Sequence, residues 1–153
     1  MLNLNMGSGS SRKQDYVSVD LHTDADIGLD LTRPLPWKDG EVDNIYSSHF
    51  IEHLSRKEWE LASKEWQRVL KVGGTIEIRC PDIIKVCEKF LLEPTDPYRM
   101  MQLYGQQGHE GEFHKNGFTH VSLTESFPEC VPTLLVPSSD TELHMSFRKV
   151  RRV

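Results

Sequence analysis

Leu2-Asn-Leu-Asn-Met6, followed at once by Gly7-Ser-Gly9-Ser-Ser11, is the stretch on which the fold turns. Leu2, Leu4 and Met6 alternate with Asn3 and Asn5, the period of a strand with one solvated face. Glycines just past a strand let the backbone approach a ligand closely and turn its N–H groups toward it. The next strand, Tyr16–Asp20, follows after only nine residues, too few for a full covering helix, and ends in an acid. Such an acid beside a glycine loop can accept both hydroxyls of a ribose. A helix cap or a solvated turn is the competing reading of Asp20. The dinucleotide fingerprint G-x-G-x-x-G is not met, because position 12 is Arg and Asp20 comes too soon after Gly9. NAD and FAD are therefore demoted.

The rest of the chain continues the pattern. A short strand is expected at Ala25–Leu29, then Val42–Ser47, Thr75–Cys80, Pro132–Val136 and Glu142–Val150. Between them lie helical signals. Ser55-Arg-Lys-Glu58 is a capping box, and Trp59, Ala62, Trp66, Val69 and Leu70 recur at helical spacing as a core stripe. Gly73-Gly74 is read as the stop of that helix. Asp82 caps a second helix to about Leu92, Asp96-Pro97 a third ending before Gly105, and Thr119–Glu129 a weaker fourth. Strands alternating with helices mean an α/β fold with a mostly parallel sheet. Val17 and Val19, then Ile76, Ile78 and Cys80, then Leu143, Met145 and Phe147 all alternate with polar neighbours. Helices mainly on one face are expected, with the other face polar and available for self-association. Adjacent parallel strands need about a dozen connecting residues, so the third strand is expected to be a stub.

Composition bounds the function. The chain has 153 residues, 37% apolar and 27% charged, with 18 Lys+Arg against 23 Asp+Glu and a formal net charge of −5. One domain spanning 1–153 is expected. The acidic balance argues against nucleic-acid binding, and the terminal cluster Arg148, Lys149, Arg151 and Arg152 reads as a solvated end. No apolar run reaches the roughly 18–20 residues of a spanning helix, and no signal-peptide core is present. Cys80, Cys87 and Cys130 suit neither a disulfide framework nor a zinc site. A reduced, cytoplasmic setting is expected. Cys80 reads as a buried small hydrophobe with no basic neighbour to lower its pKa.

Three further segments carry a family likeness. Leu31-Thr-Arg-Pro-Leu-Pro-Trp-Lys-Asp-Gly40, Val42-Asp-Asn-Ile-Tyr-Ser-Ser-His-Phe-Ile-Glu-His-Leu54 and Glu65-Trp-Gln-Arg-Val-Leu-Lys-Val-Gly-Gly74 resemble the class I S-adenosylmethionine-dependent methyltransferases, in their type 11 group. The segment from Leu103 to Phe118 looks like one found in small bacterial methyltransferases of that group. In order and spacing the likeness covers residues 2 to about 148. It implies a Rossmann-like methyltransferase fold, a mostly parallel sheet with an antiparallel last strand, and reduced helices on one face. Measured against it, the leading lid helix is absent, the helix after the glycine loop is shortened, Asn5 stands where many relatives carry an acid, and Val72 replaces a proline. The first two departures suggest an open cofactor site, or one completed by a partner chain.

The resemblance implies S-adenosylmethionine as cofactor. Asn5 lies at the base of the loop, Gly7, Ser8 and Gly9 would line the methionine end, Asp20 with Leu21 the ribose, and Asp30 with Leu31 the adenine. Ser48 and His49 would face the sulfonium. An Asx turn before Pro34 is the competing reading of Asp30. Methyl transfer needs positioning above all, with a base only where the acceptor carries a proton. His49 is the first candidate for that base, a structural contact to backbone being the alternative. His53 reads as a brace for the loop before the capped helix. His109 and His114, with Glu110, lie in a glycine-rich stretch suited to a lid over the acceptor and are further catalytic candidates. As metal ligands they are loosely spaced and lack an evident third partner, so no metal is expected. The expected activity is methyl transfer to a small polar acceptor, related to saccharides if it follows the small bacterial relatives. No nucleic acid or membrane partner is expected, and a homo-oligomer through the polar sheet face is. The rivals are a catalytically silent cofactor-binding module that acts with a partner protein, and a non-methylating nucleotide binder.

Overall fold

A computed structural model describes residues 1–21, 24–136 and 140–150; Arg151 and Arg152 of the basic terminal cluster lie outside them. Seven strands form one sheet: β1 (Asn3–Met6), β2 (Val17–Asp20), β3 (Ile27–Gly28), β4 (Val42–Ser48), β5 (Leu70–Pro81), β6 (Cys130–Val136) and β7 (Glu142–Lys149). Their order is β3-β2-β1-β4-β5-β7-β6. The first five run parallel, while β7 pairs antiparallel with β5 and with β6. This is the expected mixed sheet, and β3 is the expected stub of two residues. Reversal of the strand order on either side of β1 and β4 opens a crevice at their C-terminal ends, where open α/β sheets bind ligands.

Among the described residues there are four α-helices: α1 (Arg56–Val69), α2 (Ile83–Leu92), α3 (Pro97–Tyr104) and α4 (His120–Glu125). The Ser55 hydroxyl accepts from the Glu58 amide while the Glu58 carboxylate accepts from the Ser55 amide, which completes the capping box. Such a cap contributes about 0.5–2 kcal/mol. Its first turn fixes the entry of α1 just beyond the end of β4. Trp59 then meets Trp66, Phe118 and Phe127 edge-on at 5.5, 5.4 and 5.7 Å, and donates from Nε1 to Ser126 Oγ at 2.9 Å. α1 and the segment around α4 thereby cover one face of the sheet.

That face is where the alternation points. Leu4, Met6, Val19, Ile45, Ile76, Ile78, Cys80, Met145 and Phe147 are all buried in one cluster with Trp66 and Val69. Their strand neighbours Asn3, Asn44, Tyr46, Glu77, Arg79, His144 and Ser146 are only half-buried. On that side Tyr16 and Tyr46 meet edge-on with Lys13 4.0 Å above the Tyr46 ring, and His144 Nε2 lies 2.9 Å from Glu77. The opposite face is covered in part, with Asn5 and Ser18 buried on it, and the two-residue period marks the face that is covered more deeply.

The expected glycine stop of α1 is corrected. Leu70, capping the helix, is already extended, and β5 begins there. Val42 pairs with Leu70 and Asn44 with Thr75, so the intervening Lys71-Val-Gly73-Gly74 bulges out of the ladder. The two glycines shape a bulge at the strand's start. Helix α4 is likewise shorter than the expected Thr119–Glu129 and is closed by its own Thr119/Ser122 capping box.

Candidate active site

Two groups of residues gather at the C-terminal edge of the sheet. The first is the glycine loop. Gly7 and Gly9 have φ of 63° and 52°, a left-handed conformation that glycine adopts at little cost. The loop is pinned from β2, since the Gly7 and Ser8 amides both donate to the Val19 carbonyl at 2.9 and 3.3 Å. Asn5, buried in β1, donates from Nδ2 to the Ser11 carbonyl and closes the loop from beneath. At the end of β2, Asp20 accepts from the Gly9 amide through Oδ2 at 2.9 Å. The acid and the loop are thus one unit, and open space lies beyond the Cα of Gly9.

The remaining residues of that half divide. Leu21 is exposed beside Asp20, whereas Leu31 is buried in the core. Asp30 forms the Asx turn: Oδ1 accepts from the Thr32 amide at 2.9 Å and from the Thr32 hydroxyl at 2.6 Å. Those hydrogen bonds hold its carboxyl below the usual value, and Arg33 stands 3.4 Å from Oδ2.

The second group surrounds the end of β4. Ser48 ends the strand, and His49 takes a left-handed φ of 51° while its amide donates to the Arg79 carbonyl at 2.9 Å. For a non-glycine residue this backbone is uncommon and is held by its surroundings. It sets the His49 ring between two acids, with Nδ1 3.4 Å from Glu52 and Nε2 3.1 Å from Glu142. Glu52, then Glu142, pull the His49 pKa above 6.5 despite the opposing effect of burial. The next residue, Phe50, packs on the loop so closely that a Cβ on Gly7 would fall 1.9 Å from its Cγ. His49 and the glycine loop are therefore neighbours across one aromatic ring.

Beside His49 opens a cavity of about 480 Å³, lined by His49, Glu52, His53, His114, Gln102 and Glu142 among others. A single 3-10 turn, Ile51–His53, places Glu52 and His53 there. The Lys115 and Asn116 amides both donate to the Glu52 carbonyl (2.8 and 3.1 Å), which draws His114 alongside His53 with ring centroids 4.9 Å apart. Burial lowers the His114 pKa. His109 goes elsewhere: its Nδ1 accepts from the Gly111 amide at 3.1 Å, and the exposed ring caps the short turn Glu110–Glu112. His53 does brace, though to the Phe113 carbonyl rather than within its own loop. Cys80 is fully buried, and desolvation raises its thiol pKa well above 9.0.

Sequence reasoning did not find Glu52 or Glu142 as neighbours of His49. Glu52 carried a signal, three residues after His49 and just before a capped helix. Glu142 lies 93 residues away and is delivered by antiparallel pairing of β7 to β5, which no local spacing reveals.

Residues 8–78, just under half of the chain, match the family model described as a methyltransferase domain. No curated protein matches the chain. Solved structures show the same fold. A methyltransferase from Methanosarcina mazei superposes with a TM-score of 0.67 at 16% identity, over 98% of this chain and 92% of that one. A 1,6-didemethyltoxoflavin-N1-methyltransferase from Burkholderia thailandensis, solved with its acceptor and S-adenosylhomocysteine, gives 0.66 at 13% over 98% and 71%. A methyltransferase solved with the Haloferax volcanii Trm112 activator gives 0.63 at 14% over 98% and 83%. The fold is that of the class I S-adenosylmethionine-dependent methyltransferases.

Proposed function

We propose that the chain, whose residues 8–78 match a methyltransferase-domain model, transfers a methyl group from S-adenosylmethionine to a small polar acceptor held in the cavity beside His49. The contact of Phe50 with Gly7 carries this reading, because it joins the glycine loop directly to the His49 end of β4. The loop's geometry suits the cofactor: Gly9 is open to an approaching ligand and Asp20 stands fixed against its amide. Asp20 would accept from the ribose hydroxyls, and Leu21 would flank the ribose. Gly7, Ser8 and Gly9, with Asn5 beneath, would hold the amino-acid end. Asp30 is spent on its turn, so the adenine would meet backbone near Leu31 instead. When bound, the cofactor supplies an electrophilic methyl group on a sulfonium. Ser48 and His49 would face it.

The protein's part is then positioning and proton handling. An acceptor hydroxyl or amine would displace the Glu142 carboxylate from Nε2 of the neutral His49 ring, which then takes its proton there, and Glu52 at Nδ1 stabilises the imidazolium so formed. His114 lines the same cavity and would orient the acceptor, while His109 is too far out on its turn to share in this. The lining mixes carboxylates, imidazoles and amides, which fits an acceptor with several hydroxyls, such as a saccharide. Transfer of labelled methyl from the cofactor to a panel of polyols, saccharides and amines tests the proposal. Turnover of one class by the wild type supports it, and S-adenosylhomocysteine binding without any turnover sinks it.

That last outcome belongs to a second reading, a silent cofactor-binding module working with a partner. The half-buried polar face around Tyr16, Tyr46 and His144 favours it, as does the neighbour solved with an activator protein. Sedimentation of the wild type against Tyr46→Glu separates the options. A dimer lost in the variant would assign the face to self-association.

A further inference from the structure

The acceptor cavity contains a buried acid, Glu52, whose carboxylate is paired with His49 by charge but accepts no hydrogen bond among the described residues. Glu52 is 2% exposed. His49 Nδ1 stands 3.4 Å from Oε1, an ion-pair distance only. An ionised carboxylate left this way costs several kcal/mol unless a cation meets it. Two imidazoles face the same point. One ligand atom each from Glu52, His53 and His114 lies within 4.8 Å of the other two.

On both rings a backbone carbonyl fixes which nitrogen is free to bind. His53 Nδ1 lies 3.2 Å from the Phe113 carbonyl and His114 Nδ1 2.9 Å from the Gln102 carbonyl. A carbonyl only accepts, so each Nδ1 carries the proton and each Nε2 keeps a lone pair. A backbone carbonyl on the far nitrogen is the usual outer support of a metal-bound histidine. The edges of a tetrahedron around an ion with bonds of about 2.1 Å are about 3.4 Å. Closure therefore draws the three groups in by on the order of 1 Å.

We propose that Glu52, His53 and His114 bind one divalent transition-metal ion of the zinc class. Two imidazoles and one carboxylate make the three-ligand set that leaves a fourth position open, here toward the cavity of about 480 Å³. An acceptor hydroxyl or carboxylate occupies that position, so the ion selects and orients oxygen-bearing acceptors. The expectation of no metal, drawn from His109 and His114, used the wrong pair. The fold parts those two and supplies His53 and Glu52 instead. The binding claim itself does not depend on methyl transfer.

The experiment uses the untagged full chain, stripped with chelator and titrated with Co2+ and then Zn2+. Calorimetry reads affinity, and the visible absorption of Co2+ reads the ligand field. One equivalent should bind, and Zn2+ should displace Co2+. Glu52→Gln, His53→Ala and His114→Ala should each weaken Co2+ binding by at least about 10–100-fold, the range seen even for outer supports. His109→Ala, His120→Ala and Cys87→Ser should leave it unchanged. Where an alanine variant does not fold, His53→Gln or His114→Gln takes its place. Absence of saturable binding, affinity indifferent to the three ligand variants, or binding lost with Cys87→Ser would each overturn the assignment.

Discussion

The two halves of the crevice are built from different materials. On the loop side, residues 5–20 form a site largely from backbone: two left-handed glycines, amides pinned to Val19, and one carboxylate locked to Gly9. On the cavity side the site is made of side chains from five separate segments, at 49–53, 81, 98–106, 112–114 and 141–142. A backbone site of this kind suits a constant ligand, because one short stretch encodes it. A side-chain site can be re-specified by single substitutions without disturbing the fold, and suits the variable ligand. The two meet where Phe50 rests on Gly7.

Perturbing one half should leave the other legible. The largest effect is expected for His49→Ala, which should reduce kcat about 10²- to 10⁴-fold, the usual contribution of a positioned base. Affinity for S-adenosylhomocysteine should stay unchanged. A variant that loses both together, with a lowered Tm, would show that His49 serves the backbone and would break the division.

Next is Gly7→Ala. The added Cβ meets Phe50 Cγ at 1.9 Å from a φ of 63°, so both clash and backbone strain apply. Each is worth about 1–3 kcal/mol, giving a loss of about 2–6 kcal/mol in chemical denaturation. Phe50→Ala in the same chain should restore only the clash portion. Complete rescue, or no initial loss, would mean that the loop is not held as described.

The smallest effect is on acid stability. Asp26 is held below 3.8 chiefly by the Ser18 hydroxyl and amide, Asp30 below 3.8 by Thr32, and Glu65 below 4.5 by Arg68. A folded pKa under the unfolded one stabilises the native state above the unfolded value. That stability is lost as pH falls through the folded value. Asp26 and Asp30 flank β3, with Asp26 bonded to Ser18 of β2, and Glu65, in α1, accepts from the Leu35 amide of the segment leading to that helix. Hydrogen exchange should therefore show β2 and β3 losing protection below pH 4.5 before β5 and β7 do. Simultaneous loss would erase the distinction.

Much of this was legible in the sequence where the physics is local. The capping box at Ser55 and Glu58 set the start of α1, and the period-two alternation of Leu4, Met6, Ile76 and Ile78 foretold which face would be covered. Short connections foretold the stub β3. What failed was non-local or ambiguous between two local uses. Gly73-Gly74 reads equally as a helix stop or a bulge, and pairing of β5 with β4 decides for the bulge. Asp30 reads as a ligand or a turn, and Thr32 engages it. His109 and His114 look alike in sequence, but only His114 is drawn inward, by amides that bond to Glu52.

The central claim is that the glycine loop and Asp20 hold S-adenosylmethionine, and calorimetric titration with S-adenosylhomocysteine tests it most directly. Wild type should bind one equivalent. Asp20→Ala should lose about 1.5–3 kcal/mol, the worth of a hydrogen bond to a charged group, or about 10- to 150-fold in Kd. Asp30→Ala, which removes a turn contact, should change Kd far less. No binding by the wild type, or an Asp20→Ala affinity equal to it, would contradict the account.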